Sequence, residues 1–279
     1  MAAHSPLTSI TLGASSIADD IGYVALYDLA QALDGVTSDY RVIGGHMVTM
    51  LAARWQLGAD LYRETGDVDL GIPPIVARDH RVVGRLMDIS YVQVAGNRFA
   101  RELSDIPAGL AVRDARNVHQ ALIDVLVPAY AGPARDNVQV ADDLFSTEVP
   151  GLHLALARPP ITIALELRRL NGQALQCEVP FPDEVSALVL KALATTVRAK
   201  DTDIADIWRC LEIANAAGLG PGDFNRGTRA ESAAVIRRLF AGRRSPAMRT
   251  LASQQHLSPE GADQRHTRIL ALMARVLGQ

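Results

Sequence analysis

The sequence is short of lysine, of cysteine and of long hydrophobic runs. Among its 28 basic residues only Lys191 and Lys200 are lysines, so arginine carries nearly all of the positive charge. The two cysteines, Cys177 and Cys210, form no metal-binding or redox motif, as is usual in a reducing compartment. No apolar run reaches the ~18 residues that a transmembrane helix needs, and the N-terminus lacks the features of a secretory signal. We therefore expect a cytoplasmic protein with no membrane partner.

Charge is distributed unevenly along the chain. The net charge of the 279 residues is −3, but residues 221–279 hold ten arginines against four acidic residues. This asymmetry indicates an anionic partner for the C-terminal part of the chain. A set of solvated helical faces would give the same composition, so both interpretations stay open at this point.

The hydrophobic periodicity changes from mixed to wholly helical. Up to about residue 182, strand-like segments alternate with a few amphipathic helices, and loops rich in Pro and Gly separate them. Helices are predicted in the first part over 16–33, 46–56 and 75–89, and in the second part over 183–200, 203–217, 229–241 and 262–277. The pattern predicts the α+β class, with a mixed β-sheet N-terminal domain (1–182) and a helical C-terminal domain (183–279).

The most informative motif is Asp67-Val68-Asp69, which follows Gly44-Gly45 by some twenty residues. Side chains alternate along a strand, so Asp67 and Asp69 are predicted to point the same way while Val68 faces a core. Two adjacent carboxylates repel each other and lose solvation unless a cation lies between them. Carboxylate oxygens suit Mg²⁺, which completes its shell with water and substrate phosphates. The pair therefore predicts half of a phosphoryl- or nucleotidyl-transfer site.

Two further features suit a phosphate and a metal ion. Gly44-Gly45 lies between a predicted strand and a predicted helix, where backbone N–H groups can approach a phosphate; a simple tight turn is the alternative. Asp124 is the only charged residue in an apolar, strand-like run, where an unpaired ionised carboxylate would cost roughly several kcal/mol. A metal ion shared with the acidic pair would remove this cost, and a carboxylate that caps a nearby turn is the alternative.

Cations and acids recur in the helical part. Lys191 and Arg198 lie seven residues apart on one face of a predicted helix, where a triphosphate lying across them would relieve their repulsion. A lysine in an arginine-rich chain suits a site that needs a compact charge on a phosphate. Asp203 could cap the following helix. Asp206 could hold Lys191 or accept a proton, or it could form a surface pair with Arg209.

These residues resemble the nucleotidyltransferase superfamily, whose pattern is hydrophobic-Gly-Gly, a helix, Asp-hydrophobic-Asp and a later Asp on a strand. Within it, the chain resembles the AbiEii/MenT group of toxins from bacterial toxin–antitoxin systems. Three motifs carry this resemblance: Arg63-Glu-Thr65-Gly-Asp67-Val-Asp69, Lys191-Ala-Leu-Ala with Arg198, and Asp203-Ile-Ala-Asp206. The segment between Arg198 and Asp203 departs from the more compact family sequence, which leaves the choice between Asp201, Asp203 and Asp206 open.

The resemblance implies a nucleotidyltransferase-like fold and a set of site residues. Mg²⁺ would be bound by Asp67, Asp69 and Asp124, and these carboxylates would be catalytic together with Lys191 and Asp206. The NTP would be held by Gly44, Gly45, Thr65, Lys191 and Arg198. An acceptor hydroxyl would attack the α-phosphate of the NTP and release pyrophosphate.

The resemblance also implies partners. In such toxins the acceptor is often the 3′ end of tRNA, so RNA and a cognate antitoxin protein are expected besides the NTP. One alternative is a small-molecule acceptor such as an aminoglycoside, which is a cation and is disfavoured by the basic C-terminal part. Another is a non-catalytic module that binds a nucleotide or an antitoxin, which the three retained carboxylates disfavour.

Overall fold

A computed structural model describes residues 6–106, 119–130, 132–198 and 200–278. Its strands are β1 (Ser9–Gly13), β2 (Arg41–Ile43), β3 (Asp67–Gly71), β4 (Val92–Gln93), β5 (Arg98–Glu102), β6 (Gln120–Pro128), β7 (Val138–Gln139), β8 (Phe145–Val149), β9 (Ile161–Arg168) and β10 (Ala174–Phe181). Its helices are α1 (Ile17–Leu33), α2 (Gly44–Arg54), α3 (Pro74–Ala77), α4 (His80–Asp88), α5 (Leu152–Ala157), α6 (Glu184–Val197), α7 (Asp201–Ala216), α8 (Gly227–Leu239), α9 (Pro246–Gln254) and α10 (Pro259–Leu277). Among the described residues, no helix has the length and hydrophobicity that a bilayer crossing requires.

The strands form a seven-stranded sheet and a three-stranded sheet. The path through the larger sheet is β2-β3-β6-β5-β4, with β8 also joined to β6 and β7 to β8. At its centre β3 and β6 are parallel, whereas β2 and β5 run antiparallel to them on either side. In the smaller sheet β9 lies between a parallel β1 and an antiparallel β10. Mixed sheets followed by helices confirm the predicted α+β class.

A continuous hydrophobic core connects the strand-rich and helical parts. Helix α1 packs against β6 and β10, and α2 contacts both α6 and α7. The largest fully buried side chains include Phe99 and Phe181 from the sheets and Phe240, which follows the last residue of α8. Because helices from both parts of the chain meet at α2, residues of the helical part can reach the edge of the larger sheet. The domain boundary at 182/183 stays a prediction.

Helices α6 and α2 differ in how their N-terminal ends are capped. At α6, the Asp183 carboxylate accepts a hydrogen bond from the backbone N–H of Ser186 at 2.9 Å, which caps the helix that carries Lys191. Helix α2 begins at Gly44 without a capping side chain. Its first N–H groups therefore have no partner within the helix and can bind a ligand.

The structure differs from the sequence-based expectations at six elements. The helix predicted over 183–200 ends at Val197, and Arg198 is extended, so Lys191 and Arg198 do not share a helix face. The helix predicted over 75–89 is interrupted, because the Asp79 side chain accepts a hydrogen bond from the backbone N–H of Arg81 at 3.0 Å and starts α4 anew. The periodicity does not predict β1, β8, α5 or α9. In β1 only Ile10 is buried, so the strand has no clear alternation. The helices α5 and α9 have six and nine residues, too few for a helical period to stand out.

Candidate active site

Three carboxylates meet where β3 and β6 lie side by side. Asp69 is in register with Asp124 across these parallel strands, and Asp67 lies on the same face as Asp69. One oxygen of each carboxylate lies within 4.8 Å of the others, and in the part of the chain that the structure describes no other such cluster of His, Cys, Asp or Glu occurs. Three clustered carboxylates are a ligand set that hard divalent cations prefer.

Three ionised carboxylates this close together cost free energy unless a cation binds between them. Burial, followed by the charge of Asp67, raises the pKa of Asp69 to about 6, although Lys191 acts in the opposite direction. Such a shift means that the ionised form of Asp69 loses more from desolvation and from repulsion by the other carboxylates than it gains from nearby cations. A divalent cation would supply that compensation, so the chemistry of the donor set fits a metal ion.

Arg98 is a partner of the cluster that the sequence analysis did not identify. It lies opposite Asp124 on β5, where its Nε donates to Oδ1 at 2.8 Å and its Nη2 donates to Oδ2 at 2.6 Å. Asp124 is therefore paired with a cation, and it does not cap a turn. The Arg98 side chain is 41% exposed against 11% for Asp124, so the arginine reaches the carboxylate from the solvent side. Only strand register brings these two residues together, and no local sequence signal marks the pair.

Gly44-Gly45 fits closely against the acidic motif. Gly44 has a φ angle of +72°, and a Cβ atom there would lie 1.8 Å from Oδ2 of Asp69. A Cβ atom on Gly45 would lie 2.7 Å from Oγ1 of Thr65. Thr65 is buried and its hydroxyl donates to Oδ1 of Asp67 at 3.2 Å, so it orients a carboxylate of the cluster. The two glycines thus let the start of α2 approach the carboxylates directly.

Helices α6 and α7 bring cations and acids to the same region. Lys191 Nζ lies 2.8 Å from Asp206 Oδ2, and Arg198 Nε lies 2.9 Å from Asp203 Oδ2. Asp203 and Asp206 are 1% and 0% exposed, whereas Asp201 is exposed at the start of α7. The structure therefore places Asp203 and Asp206 beside the two predicted phosphate-binding cations and leaves Asp201 outside.

Asp206 is shared by three cations. Besides Lys191, it accepts hydrogen bonds from Nη1 of Arg63 at 2.7 Å and from Nη1 of Arg209 at 3.1 Å. Burial opposes ionisation of Asp206, but the charges of Lys191 and Arg63 outweigh it and lower the pKa of the carboxyl. A carboxylate in this position remains ionised and accepts protons poorly. The predicted pair with Arg209 exists, but it is buried and part of this network.

A cavity of about 280 Å³ opens between these groups. Four of the predicted site residues line it: Gly44, Asp69, Lys191 and Arg198. Most of the remaining lining is apolar, with side chains such as Leu126, Val149 and Leu190. A larger groove of about 860 Å³ lies beside Asp34 and Cys177, but none of the predicted site residues lines it. The smaller cavity thus combines cations, carboxylates and an apolar wall.

No protein-family model matches the chain, and no curated protein does. Among solved structures, it is similar to a crystal structure described as an antigenic nucleotidyltransferase-like protein from Paracoccidioides brasiliensis. The two chains are 18% identical, the match covers 79% of this chain and 88% of that chain, and the TM-score is 0.44.

Proposed function

We propose that the protein is a Mg²⁺-dependent nucleotidyltransferase that moves a nucleoside monophosphate from an NTP to an RNA acceptor. One observation carries the proposal. A single cavity is lined by a carboxylate of a three-membered acidic cluster, by the glycine start of an uncapped helix and by two cations held by buried acids. Each of these groups matches one part of a metal-bound triphosphate.

The roles follow from the contacts. Asp67, Asp69 and Asp124 would hold the Mg²⁺ ion, which when bound supplies a Lewis acid for the phosphate oxygens. The N–H groups at Gly44 and Gly45 would bind phosphate oxygens at the positive end of α2. The acceptor hydroxyl would lose its proton to solvent as its oxygen bonds to the α-phosphorus. The bond from that phosphorus to the oxygen bridging the α- and β-phosphates would break, and pyrophosphate would leave.

Lys191 on α6 and Arg198 directly after it are held in position for the triphosphate. Lys191 and Arg198 line the cavity, and Asp206 and Asp203 fix their head groups through ion pairs. Preorganised cations stabilise the charge that develops on a transferring phosphoryl group without reorganisation at the moment of reaction. We assign Asp206 to positioning Lys191, because its oxygens are already engaged by three cations. The proposed C-terminal domain (183–279) thus contributes Lys191 and Asp206 to the cleft.

The acceptor is proposed to be RNA, most specifically the 3′ end of tRNA. The ten arginines of residues 221–279 support this choice, since neutralising phosphates is the main source of affinity for nucleic acids. Action as a cytoplasmic toxin that a cognate antitoxin neutralises is supported by the resemblance of the motifs around Asp67, Lys191 and Asp206 to those of the AbiEii/MenT group.

The test is transfer of label from each of four α-³²P NTPs, with Mg²⁺, to total bacterial tRNA. Wild-type protein should label RNA from one or a few of the NTPs, and Asp69→Asn should abolish the labelling. Asp143→Asn, which removes the same charge from an exposed loop residue, is the matched control and should label as well as wild type. Labelling that survives Asp69→Asn would contradict the assignment of this site.

A second candidate acceptor is a cationic small molecule such as an aminoglycoside. Asp136 and Glu148 line the same cavity and would attract a cation, although Glu148 is already paired with Arg135. Label that moves to an aminoglycoside and not to RNA under the same conditions would favour this candidate.

A further inference from the structure

A second cavity lies next to the Asp206 network. It has a volume of about 300 Å³ and is lined by both arginines that bind Asp206 from outside the NTP cavity, Arg63 and Arg209. Thr202 and Gln255 also line it. Neither Lys191 nor Asp69 does, so this cavity is separate from the one assigned to the NTP.

Three residues of this lining carry buried polar atoms that lack a hydrogen-bond partner. They are Oγ1 of Thr202, Nε of Arg209 and Oε1 of Gln255. A buried polar atom without a partner costs about 1–3 kcal/mol, so three at one cavity are an unusual concentration. The set joins a guanidinium donor, a hydroxyl and a side-chain amide, and the amide can turn either its oxygen or its nitrogen to a ligand. A ligand with acceptor atoms can therefore satisfy all three groups, and one that also carries a hydroxyl donor can pair with the hydroxyl oxygen or the amide oxygen.

The charge around the cavity favours an anion. Arg63 and Arg209 share the carboxylate of Asp206 with Lys191, which also lies 3.8 Å from Asp203. The two arginines at the cavity thus have one shared carboxylate, which leaves an excess of positive charge there. Glu64 is the acid among the lining residues, and it is exposed.

We propose that this cavity binds a ribose-phosphate unit of the acceptor RNA strand. The phosphodiester oxygens would accept from Arg63 and Arg209, and a ribose 2′-hydroxyl would pair with Thr202 or Gln255 as donor or acceptor. The inference rests on the proposed function, because it gives that acceptor a subsite. It places the strand beside Arg63 and Arg209, so that the buried Asp206 carboxylate connects these arginines to Lys191 and thus the cations of both substrates.

The test is equilibrium binding without catalysis. A 5′-fluorescein-labelled 12-nucleotide RNA is titrated with protein in EDTA at fixed salt, with no NTP, and its anisotropy is measured. Gln255→Glu places a negative charge in the cavity and should weaken RNA binding about tenfold, and Thr202→Val should weaken it about threefold. Gln31→Glu makes the same charge change in a different groove and is the matched control. Its affinity should equal that of wild type.

Titrations with DNA and with inorganic phosphate identify the source of the phosphate that the cavity binds. DNA of the same sequence lacks the 2′-hydroxyl and should bind more weakly than RNA to wild type, with a smaller difference for Thr202→Val. Inorganic phosphate, titrated calorimetrically, should bind far more weakly than the RNA. If Gln255→Glu binds RNA as tightly as wild type, the proposal is overturned. If that variant loses only inorganic phosphate binding, the RNA assignment is overturned in favour of a free-phosphate site.

Nucleotide transfer is measured separately with the same variants. Loss of RNA binding in Gln255→Glu with no transfer activity in wild type would support this cavity and contradict the proposed function. If wild type transfers a nucleotide to RNA but neither Gln255→Glu nor Thr202→Val changes RNA binding, the proposed function would be supported and the role of this cavity contradicted.

Discussion

Lys191 and Asp206 form a buried ion pair, with Nζ and Oδ2 2.8 Å apart. The pair joins α6 to α7, and Arg63, four residues before Asp67, binds the same carboxylate from the loop that leads into β3. One carboxylate therefore connects the helical part to the strand that carries the acidic motif. Its removal should affect both the stability of the protein and the position of Lys191 in the cavity.

Asp206→Asn should destabilise the protein by about 3 kcal/mol near neutral pH, because Arg63 and Arg209 would lose their carboxylate partner and Lys191 would keep only Asp203, 3.8 Å away. The pKa of Asp206 is lowered in the folded protein. Its stabilising effect is therefore present above the pKa of an unfolded aspartate and is lost as the pH falls through the folded pKa. Urea unfolding at several pH values measures this difference. Asp201→Asn, at an exposed position, should change stability by less than about 0.5 kcal/mol.

Asp69→Asn should stabilise the protein in EDTA while it removes activity. Because the pKa of Asp69 is raised to about 6, ionising it in the folded state costs free energy as the pH rises above the unfolded pKa. The variant should be more stable than wild type by about 1–2 kcal/mol above pH ~7, and the difference should vanish near pH ~4. Thermal unfolding across this range is the measurement. A variant that is less stable than wild type at neutral pH would show that Asp69 is stabilising even without a metal ion.

Gly44→Ala should destabilise the protein by about 3 kcal/mol and prevent NTP binding, because the new Cβ atom would overlap Oδ2 of Asp69. Gly35→Ala is the control that separates the cost of the steric overlap from the cost of placing alanine at a positive φ angle. Gly35 also has a positive φ angle, +68°, but its Cβ atom would meet nothing within 4 Å. Gly35→Ala should therefore cost only about 1 kcal/mol. Equal losses in the two variants, measured by urea unfolding, would show that contact with Asp69 is unimportant.

Arg98→Gln should tighten metal binding. Arg98 donates to both oxygens of Asp124, so a metal ion that uses this carboxylate must first displace the guanidinium. Removing the competing cation should lower the dissociation constant for Mn²⁺ about threefold to tenfold, measured by electron paramagnetic resonance without NTP. Arg81→Gln, which removes an exposed arginine paired with Asp79, should leave Mn²⁺ affinity unchanged. Weaker Mn²⁺ binding by Arg98→Gln would mean that Arg98 holds Asp124 in a conformation that the metal ion needs.

Local patterns accounted for most of the helices and for the strand that carries the acidic motif. A helical period over two or more turns identifies α1, α2, α6, α7, α8 and α10 to within a few residues. Strand alternation places Asp67 and Asp69 together, because it depends only on backbone geometry. Short elements such as α5 and β8 escaped detection, because so few residues show no period.

The sequence by itself determined the α+β class, the acidic motif on a strand and the distinct character of Lys191. These follow from periodicity and composition, which act over neighbouring residues. The tertiary structure alone decided the partners: Arg98 for Asp124, Asp206 for Lys191, and the cavity beside Arg209. Such pairs depend on strand register and on how α6 and α7 pack against α2, and both are set by burial of the whole core and not by any local segment.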